Sequence, residues 1–382
     1  MSTGAAVEVE VDGRRLKLSN LDKMFYPAAG FTKGQVLDYY IRIAPVLLPH
    51  LRDRPLTLKR YPDGVEGAFF YEKRCPSHRP RWVRTEAVWS EGNRDVIPYC
   101  IVNDLPTLVW VANLADLELH TPLHRAPHVE LPTMLVFDLD PGAPADAVSC
   151  CEVALLLRAL LAGLGLEAFA KTSGSKGVQV YVPLHTATSY AATKAFARAA
   201  AELLESRRPD LVVSSMRKPL RTGKVLIDWS QNDAHKTTVC AYSLRAKERP
   251  TGSTPLEWEE VRGAFSARDA AGISFEAGEV LARVKRHGDL FAPVLTLRQE
   301  LPEPSRLAGA LPEEYRGAAR IHASGAASPP PPGGASRQPK RLRKSGSGKR
   351  RAQATTAGTP DARPGPRPAQ RRQGDPSADG DA

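Results

Sequence analysis

The chain has 382 residues, with 53 Lys and Arg against 42 Asp and Glu, a formal charge of +11, and 42% hydrophobic residues. That length holds one large domain or two average ones, with enough apolar content for a sizeable core. No basic region followed by an apolar run opens the chain, and no stretch reaches the ~20 uncharged apolar residues that span a bilayer, which argues against a secretory signal and a membrane span.

Val7 to Val11 alternates as VEVEV and Arg14 to Leu18 follows an Asp12-Gly13 turn, which predicts a hairpin. Thr32 to Ala44 has helical spacing, with Thr32 as N-cap and Pro45 expected to end or kink the helix. Arg54 to Tyr61 and Gly67 to Tyr71 are strand-like, and Thr133 to Asp140 is an apolar run closing in acids. Pro144 to Ala162 reads as a helix with Pro in its first turn and Gly163 and Gly165 past its end. Ala168 to Thr172 and Val178 to Leu184 are strands around the loop SGSKG; Thr188 to Ser206 is a helix capped by Thr188, and Lys224 to Trp229 another strand. Thr254-Pro255-Leu256-Glu257 predicts a helix start, and Ser274 to His287 a last helix closed by Gly288. Elements interspersed without a βαβ rhythm favour an α+β fold. The domain is expected over residues 1–303, divided near residue 130.

From Pro304 the composition turns to Pro, Gly, Ala, Ser and Arg, and Gly325 to Ala382 holds twelve Lys or Arg against four Asp. A disordered tail is expected there, with the basic cluster Lys340 to Arg351 either adding salt-sensitive affinity for DNA or serving as a passive extension. Five cysteines without a Cys-x-x-Cys pair argue against a structural zinc site, Cys75 and His78 included, and the chain reads as one of a reducing compartment.

Asp138 and Asp140, two apart at a strand end, project to one side of it. Carboxylates held that close repel unless a cation neutralises them. Asp228 supplies a third acid from another strand, and three acids from two strand ends suit two Mg²⁺ or Mn²⁺ ions and phosphoryl transfer. An Asp-x-Asp before Pro141 also fits a solvated strand exit. Ser173-Gly174-Ser175-Lys176-Gly177 could turn backbone N–H groups and one lysine onto a phosphate, or be a plain hairpin loop.

VFDLDP, TSGSKGVQVYVPL, GKVLIDWSQN and YSLRA, in that order, together with LSNLDKMFYP, FTKGQVLDYY, GAFFYEKR and ADLELHTP, closely resemble the polymerase domain of bacterial DNA ligase D. That domain is a branch of the archaeo-eukaryotic primase superfamily acting in non-homologous end joining, and the resemblance runs from about Val7 to Leu295. It implies a primase-polymerase core of mixed and antiparallel sheets with flanking helices, in a bacterial cytoplasm near the nucleoid. Asp138, Asp140 and Asp228 resemble the metal-binding acids. Lys59, His120, Ser173, Ser175, Lys176, Lys236 and Arg245 match nucleotide contacts. Asn20, Lys23 and Lys33 match a pocket for a 5′-phosphate on DNA, and Phe69 and Phe70 the aromatics near the template.

Outside the resemblance, Lys23 and Lys33 read equally as surface charges, Phe69 and Phe70 as edge-strand core and His120 as a buried histidine. Gln179 stands where many relatives have His; it can hydrogen-bond a phosphate or a ribose but carries no charge, so altered nucleotide affinity or sugar preference is expected. No Lys-x-Asp-Gly ligase motif is present, which reads as a stand-alone polymerase module, with Ku and a separate ATP-dependent ligase as implied partners. The expected activity is template-directed addition of ribo- or deoxyribonucleotides to DNA ends and gaps. A primer-independent primase and a non-catalytic end-binding scaffold are the alternatives.

Overall fold

Asp12 and Gly13 both take positive φ, 45° and 73°, as a two-residue turn matched to strand twist requires. They join Val7–Val11 to Arg14–Leu18 in an antiparallel hairpin that buries Leu16 and Leu18. This computed structural model describes residues 6–311 except 91 and 93.

The Lys33–Leu51 helix begins with a capping box in which Thr32 accepts from Gln35 N and Gln35 accepts from Thr32 N. The expected stop at Pro45 does not occur, and the helix runs on through Pro45 and Pro49. Pro45 costs the carbonyl of Ile41 its helical partner, but both residues lie on the exposed face. Tyr40, Ile43, Leu47 and Leu51 continue a buried stripe, and that burial outweighs one missing hydrogen bond.

Two six-stranded sheets follow, in an α+β arrangement. The first runs Thr238–Val239, Asp116–Thr121, Pro55–Arg60, Asp95–Ile101, Thr85–Ser90, with Phe70–Glu72 also paired to Pro55–Arg60. The second runs Val212–Val213, Val225–Asp228, Met134–Pro141, Val178–Pro183, Phe169–Thr172, Pro255–Leu256. The strand Met134–Pro141 serves two cores. Leu135, Phe137 and Leu139 pack with the Ala147–Ala162 and Tyr190–Arg207 helices, while Met134 and Val136 belong to the core containing the Lys33–Leu51 helix. Period-two alternation then sends Asp138 and Asp140 to the side of Val136, toward the first sheet. After Asp228 the chain crosses to the first sheet at Thr238–Val239, so the division near residue 130 is bridged by a later strand.

Several element starts differ from expectation. Asp146, bonded to Ser149 N, caps the Ala147–Ala162 helix, leaving Pro144 outside it, and Ser189 rather than Thr188 caps Tyr190–Arg207. Pro255–Leu256 is an edge strand against Ala170 and Lys171 instead of a helix start. Thr254 is buried there, its hydroxyl spent on Gly252 O and its carbonyl on Thr172 N, so the helix waits for Glu257 and begins at Trp258. Glu276 likewise delays the last long helix to Ala277–His287.

The expected tail starts with packed residues: Leu307 and Leu311 are buried in the second core. The basic cluster Lys340 to Arg351 lies outside the described residues. Cys75 and Cys100 form a disulfide with Cα atoms 5.0 Å apart, a pairing the cysteine spacing did not indicate for a chain read as reducing-compartment; Cys150, Cys151 and Cys240 are free and buried. Among the described residues no helix is long and apolar enough to cross a membrane.

Candidate active site

A cleft of about 590 Å³ opens between the two sheets. Asp138 and Asp140 line it, with His120, Ser173, Ser175, Lys176, Gln179, Lys236 and Arg245 from the expected set. Asp228 stands directly opposite Asp138 across the strand pair. Its carboxylate accepts from Ser230 N at 2.9 Å, Ser230 Oγ at 2.6 Å and Gln231 Nε2 at 3.0 Å. Among the described residues, no three acidic, His or Cys side chains are already gathered as a metal group.

The acids nevertheless suit a hard divalent cation. Burial, then the neighbouring Asp140, and more weakly Asp228 push the Asp138 carboxyl up to about 7, partly offset by a hydrogen bond from Gln179. Desolvation in the cleft and Asp228 raise Asp140 as well. Carboxylate oxygens crowded until one resists ionisation are the donor set that Mg²⁺ or Mn²⁺ relieves.

The SGSKG loop is pinned to the acid-bearing strand. A Cβ on Gly177 would collide with Leu139 O, and Gly174 takes φ +66° against Gly252 and Arg245. The loop's amides do not form an open nest, since Ser173 Oγ accepts from Ser175 N at 3.3 Å and Gly177 N at 3.1 Å, and Thr172 Oγ1 accepts from Gly174 N at 3.1 Å. Its offering to an anion is therefore Ser175 and Lys176, both exposed at the cleft.

Glu118, on the ADLELHTP strand, is the central residue that motif reading passed over. It is 1% exposed. Oε1 meets Lys59 Nζ at 3.2 Å, Tyr61 OH at 3.3 Å and Ala246 N at 3.1 Å; Oε2 meets His120 Nε2 at 3.0 Å and Arg245 Nε at 3.2 Å. Burial opposes its ionisation, but the His120 hydrogen bond and the charges of Arg245 and Lys59 hold it well below the ordinary carboxylate range. Arg245 also donates to Ser173 O, joining this hub to the loop. Burial lowers His120, against the pull of Glu118. Lys59 lies behind the cleft among Phe69, Tyr61 and Tyr71, nearest Phe69 at 4.6 Å from its ring centroid.

Phe69 and Phe70 are 52% and 43% exposed and serve different neighbours. Phe69 stacks on Tyr61, whereas Phe70 covers Arg60. Asn20, Lys23 and Lys33 come together away from the cleft, with Lys23 N bonded to Asn20 O and Lys33 N to Lys23 O. Lys33 is buried and donates to Ser19 O at 2.7 Å and Asn113 Oδ1 at 2.9 Å. Burial, then Lys23 and Arg60, bring its pKa down to about 8. Lys23 pairs with Asp63 at 2.6 Å. Besides Glu118, sequence reading missed Arg221 and Gln231 on the cleft wall and Lys171 beneath it.

The LigD primase-polymerase domain model matches residues 32–291. The chain belongs to the LigD primase-polymerase family. It is 42% identical over 282 residues to the multifunctional non-homologous end joining protein LigD of Mycolicibacterium smegmatis, covering 73% of this chain and 36% of that protein. The bifunctional LigD of Bacillus subtilis is 31% identical over 275 residues, 72% of this chain and 43% of that protein. The chain thus spans well under half the length of these relatives. Among solved structures, the polymerase domain of Mycobacterium tuberculosis ligase D in complex with DNA matches with a TM-score of 0.69 and 39% identity, over 75% of this chain and 99% of that one.

Proposed function

We propose that this protein is a template-directed nucleotidyltransferase that extends DNA 3′ ends and fills gaps during non-homologous end joining. The observation that carries the reading is one cleft in which Asp138 and Asp140 face Lys176, Lys236, His120 and Arg245. Asp138, Asp140 and Asp228 would hold two divalent cations, Mn²⁺ or Mg²⁺, which supply Lewis acidity to the attacking 3′-oxygen and the leaving pyrophosphate. Arg245, Lys236, Lys176 and Ser175 bind the triphosphate, Ser173 holds the loop in shape, and the Glu118 hub keeps Arg245, His120 and Lys59 aimed before the nucleotide arrives. The corner of Asn20, Lys23 and Lys33 takes a 5′-phosphate downstream, and the exposed Phe69 and Phe70 stack near the template. Ku and a separate ligase are the expected partners.

The test is extension of a gapped duplex carrying a downstream 5′-phosphate, with Mn²⁺ and each nucleotide type. Wild type should extend and Asp138→Ala should not. Tight binding of the gap without any extension by wild type would instead make the protein an end-binding scaffold.

A further inference from the structure

Four polar side chains form one row across four neighbouring strands of the second sheet. Lys171 pairs with Gln179, Gln179 with Asp138, and Asp138 with Asp228. Residues level on adjacent strands share a face, and the two middle members, Gln179 and Asp138, line the cleft. Lys171 is its buried end, 1% exposed. Its Nζ donates to Gln179 Oε1 and to Ser253 Oγ, each at 2.6 Å, and lies 5.5 Å from the Tyr181 ring centroid.

Lys171 donates here, so the Gln179 atom facing it is the carbonyl oxygen. Tyr181 OH, also within 2.9 Å of Thr238 Oγ1, stands 3.3 Å from that same oxygen. The amide therefore has one orientation, which leaves its NH₂ for the side of Asp138, its register partner on the neighbouring strand. The oxygen end of Gln179 is thus spent on Lys171, while the residue itself lines the cleft.

We propose that Lys171 is a positioning residue for Asp138: it locks the Gln179 amide, whose NH₂ holds one oxygen of Asp138 and leaves the other free for a divalent cation. The proposal rests on the metal-site reading given above. Lys171 sets how well the acid pair binds the cation while the nucleotide contacts stay with other residues. The same arrangement explains why a lysine is tolerated at the floor of the sheet, since its neutral partners pass its influence to the acid row.

The experiment is titration of the full chain with Mn²⁺ alone, read by the free-ion paramagnetic signal, followed by nucleotide KM at saturating Mn²⁺. Lys171→Met should weaken Mn²⁺ binding about tenfold, the scale on which outer partners of a metal ligand act. Nucleotide KM should stay within about twofold of wild type, because the triphosphate contacts are untouched. Gln179→Met should show the same loss, and the double variant should be no worse than either single, as members of one relay are not additive. Should Lys171→Met not fold, Gln179→Met carries the test alone. Unchanged Mn²⁺ affinity in these variants, with Asp138→Ala losing it, would overturn the relay and spare the metal site. Wild-type Mn²⁺ binding by Asp138→Ala would overturn both.

Discussion

Glu118 Oε2 lies 3.2 Å from Arg245 Nε, and that contact joins the first sheet to the segment following the acid-bearing strands. The same carboxylate takes His120 and Lys59, so one buried anion sets three groups expected at the nucleotide. Replacing it with Gln leaves cations buried without a counter-charge, which costs about 3–5 kcal/mol where a buried pair is broken. Glu118→Gln should lower the denaturation midpoint and, at temperatures where it stays folded, raise nucleotide KM about tenfold or more through loss of Arg245 aim. Denaturant melts and steady-state extension measure the two effects. A variant with wild-type stability and KM would remove Glu118 from the site.

The corner proposed for the 5′-phosphate carries a pH signature. Lys33, held down to about 8, is mostly charged at neutral pH and loses its proton as pH rises through that value. The preference for a 5′-phosphorylated over a 5′-hydroxyl gap should therefore weaken between pH 7 and 9. Lys23→Ala should reduce the preference without destabilising the fold, because its pair with Asp63 is exposed. Fluorescence binding to the two gaps across pH decides it; a preference flat to pH 9 would place the phosphate elsewhere.

Some of this was legible in the sequence and some was not, for physical reasons. Asp12-Gly13, Thr32 as N-cap and the two-residue spacing of Asp138 and Asp140 are local signals, and each produced the structure its chemistry dictates. Pro45 and Pro255 misled because proline's local cost was decided by tertiary surroundings, a buried helical stripe in one case and a sheet edge in the other. Glu118 and Lys171 escaped because a charged residue within an apolar strand shows no partner until distant segments arrive. Arg245 and Ser253 come from the crossing after Asp228, which no local pattern announces. The contact between Lys171 and Gln179 was hidden for the same reason, since the two sit on neighbouring strands.

Asp289 ties the end of the domain to the long N-terminal helix. It meets His50 Nε2 at 2.9 Å, accepts from Tyr242 OH at 2.7 Å and from Phe291 N at 2.9 Å. Burial opposes its charge, but these contacts prevail and its pKa lies below the ordinary value. A carboxylate depressed in the folded state stabilises above its unfolded pKa and loses that contribution as pH falls through the folded value. Asp289→Asn should cost about 1–3 kcal/mol at pH 7, the range for hydrogen bonds to a charged group. The gap should close below about pH 3–4, where the unfolded carboxyl titrates and the folded one follows. Denaturant melts at pH 7, 5 and 3 test this; a constant difference would show that the charge is not what matters.

Gly177 makes a sharper prediction about the loop. Its Cα faces Leu139 O, the carbonyl between the two cleft acids, with no room for a methyl group. Gly177→Ala must lift the loop from that strand or shift the strand itself. Overpacking of this kind costs about 1–3 kcal/mol. The displacement also falls between Lys176 and Asp138, so extension should drop about a hundredfold, as misplacement of about 1 Å can cause. Gly263→Ala supplies the control, since a methyl there meets open space and removes a flexible residue from a helix; it should gain slightly in stability and keep full activity. If Gly177→Ala extends a gap as fast as Gly263→Ala does, the close fit between loop and acid-bearing strand has no part in catalysis.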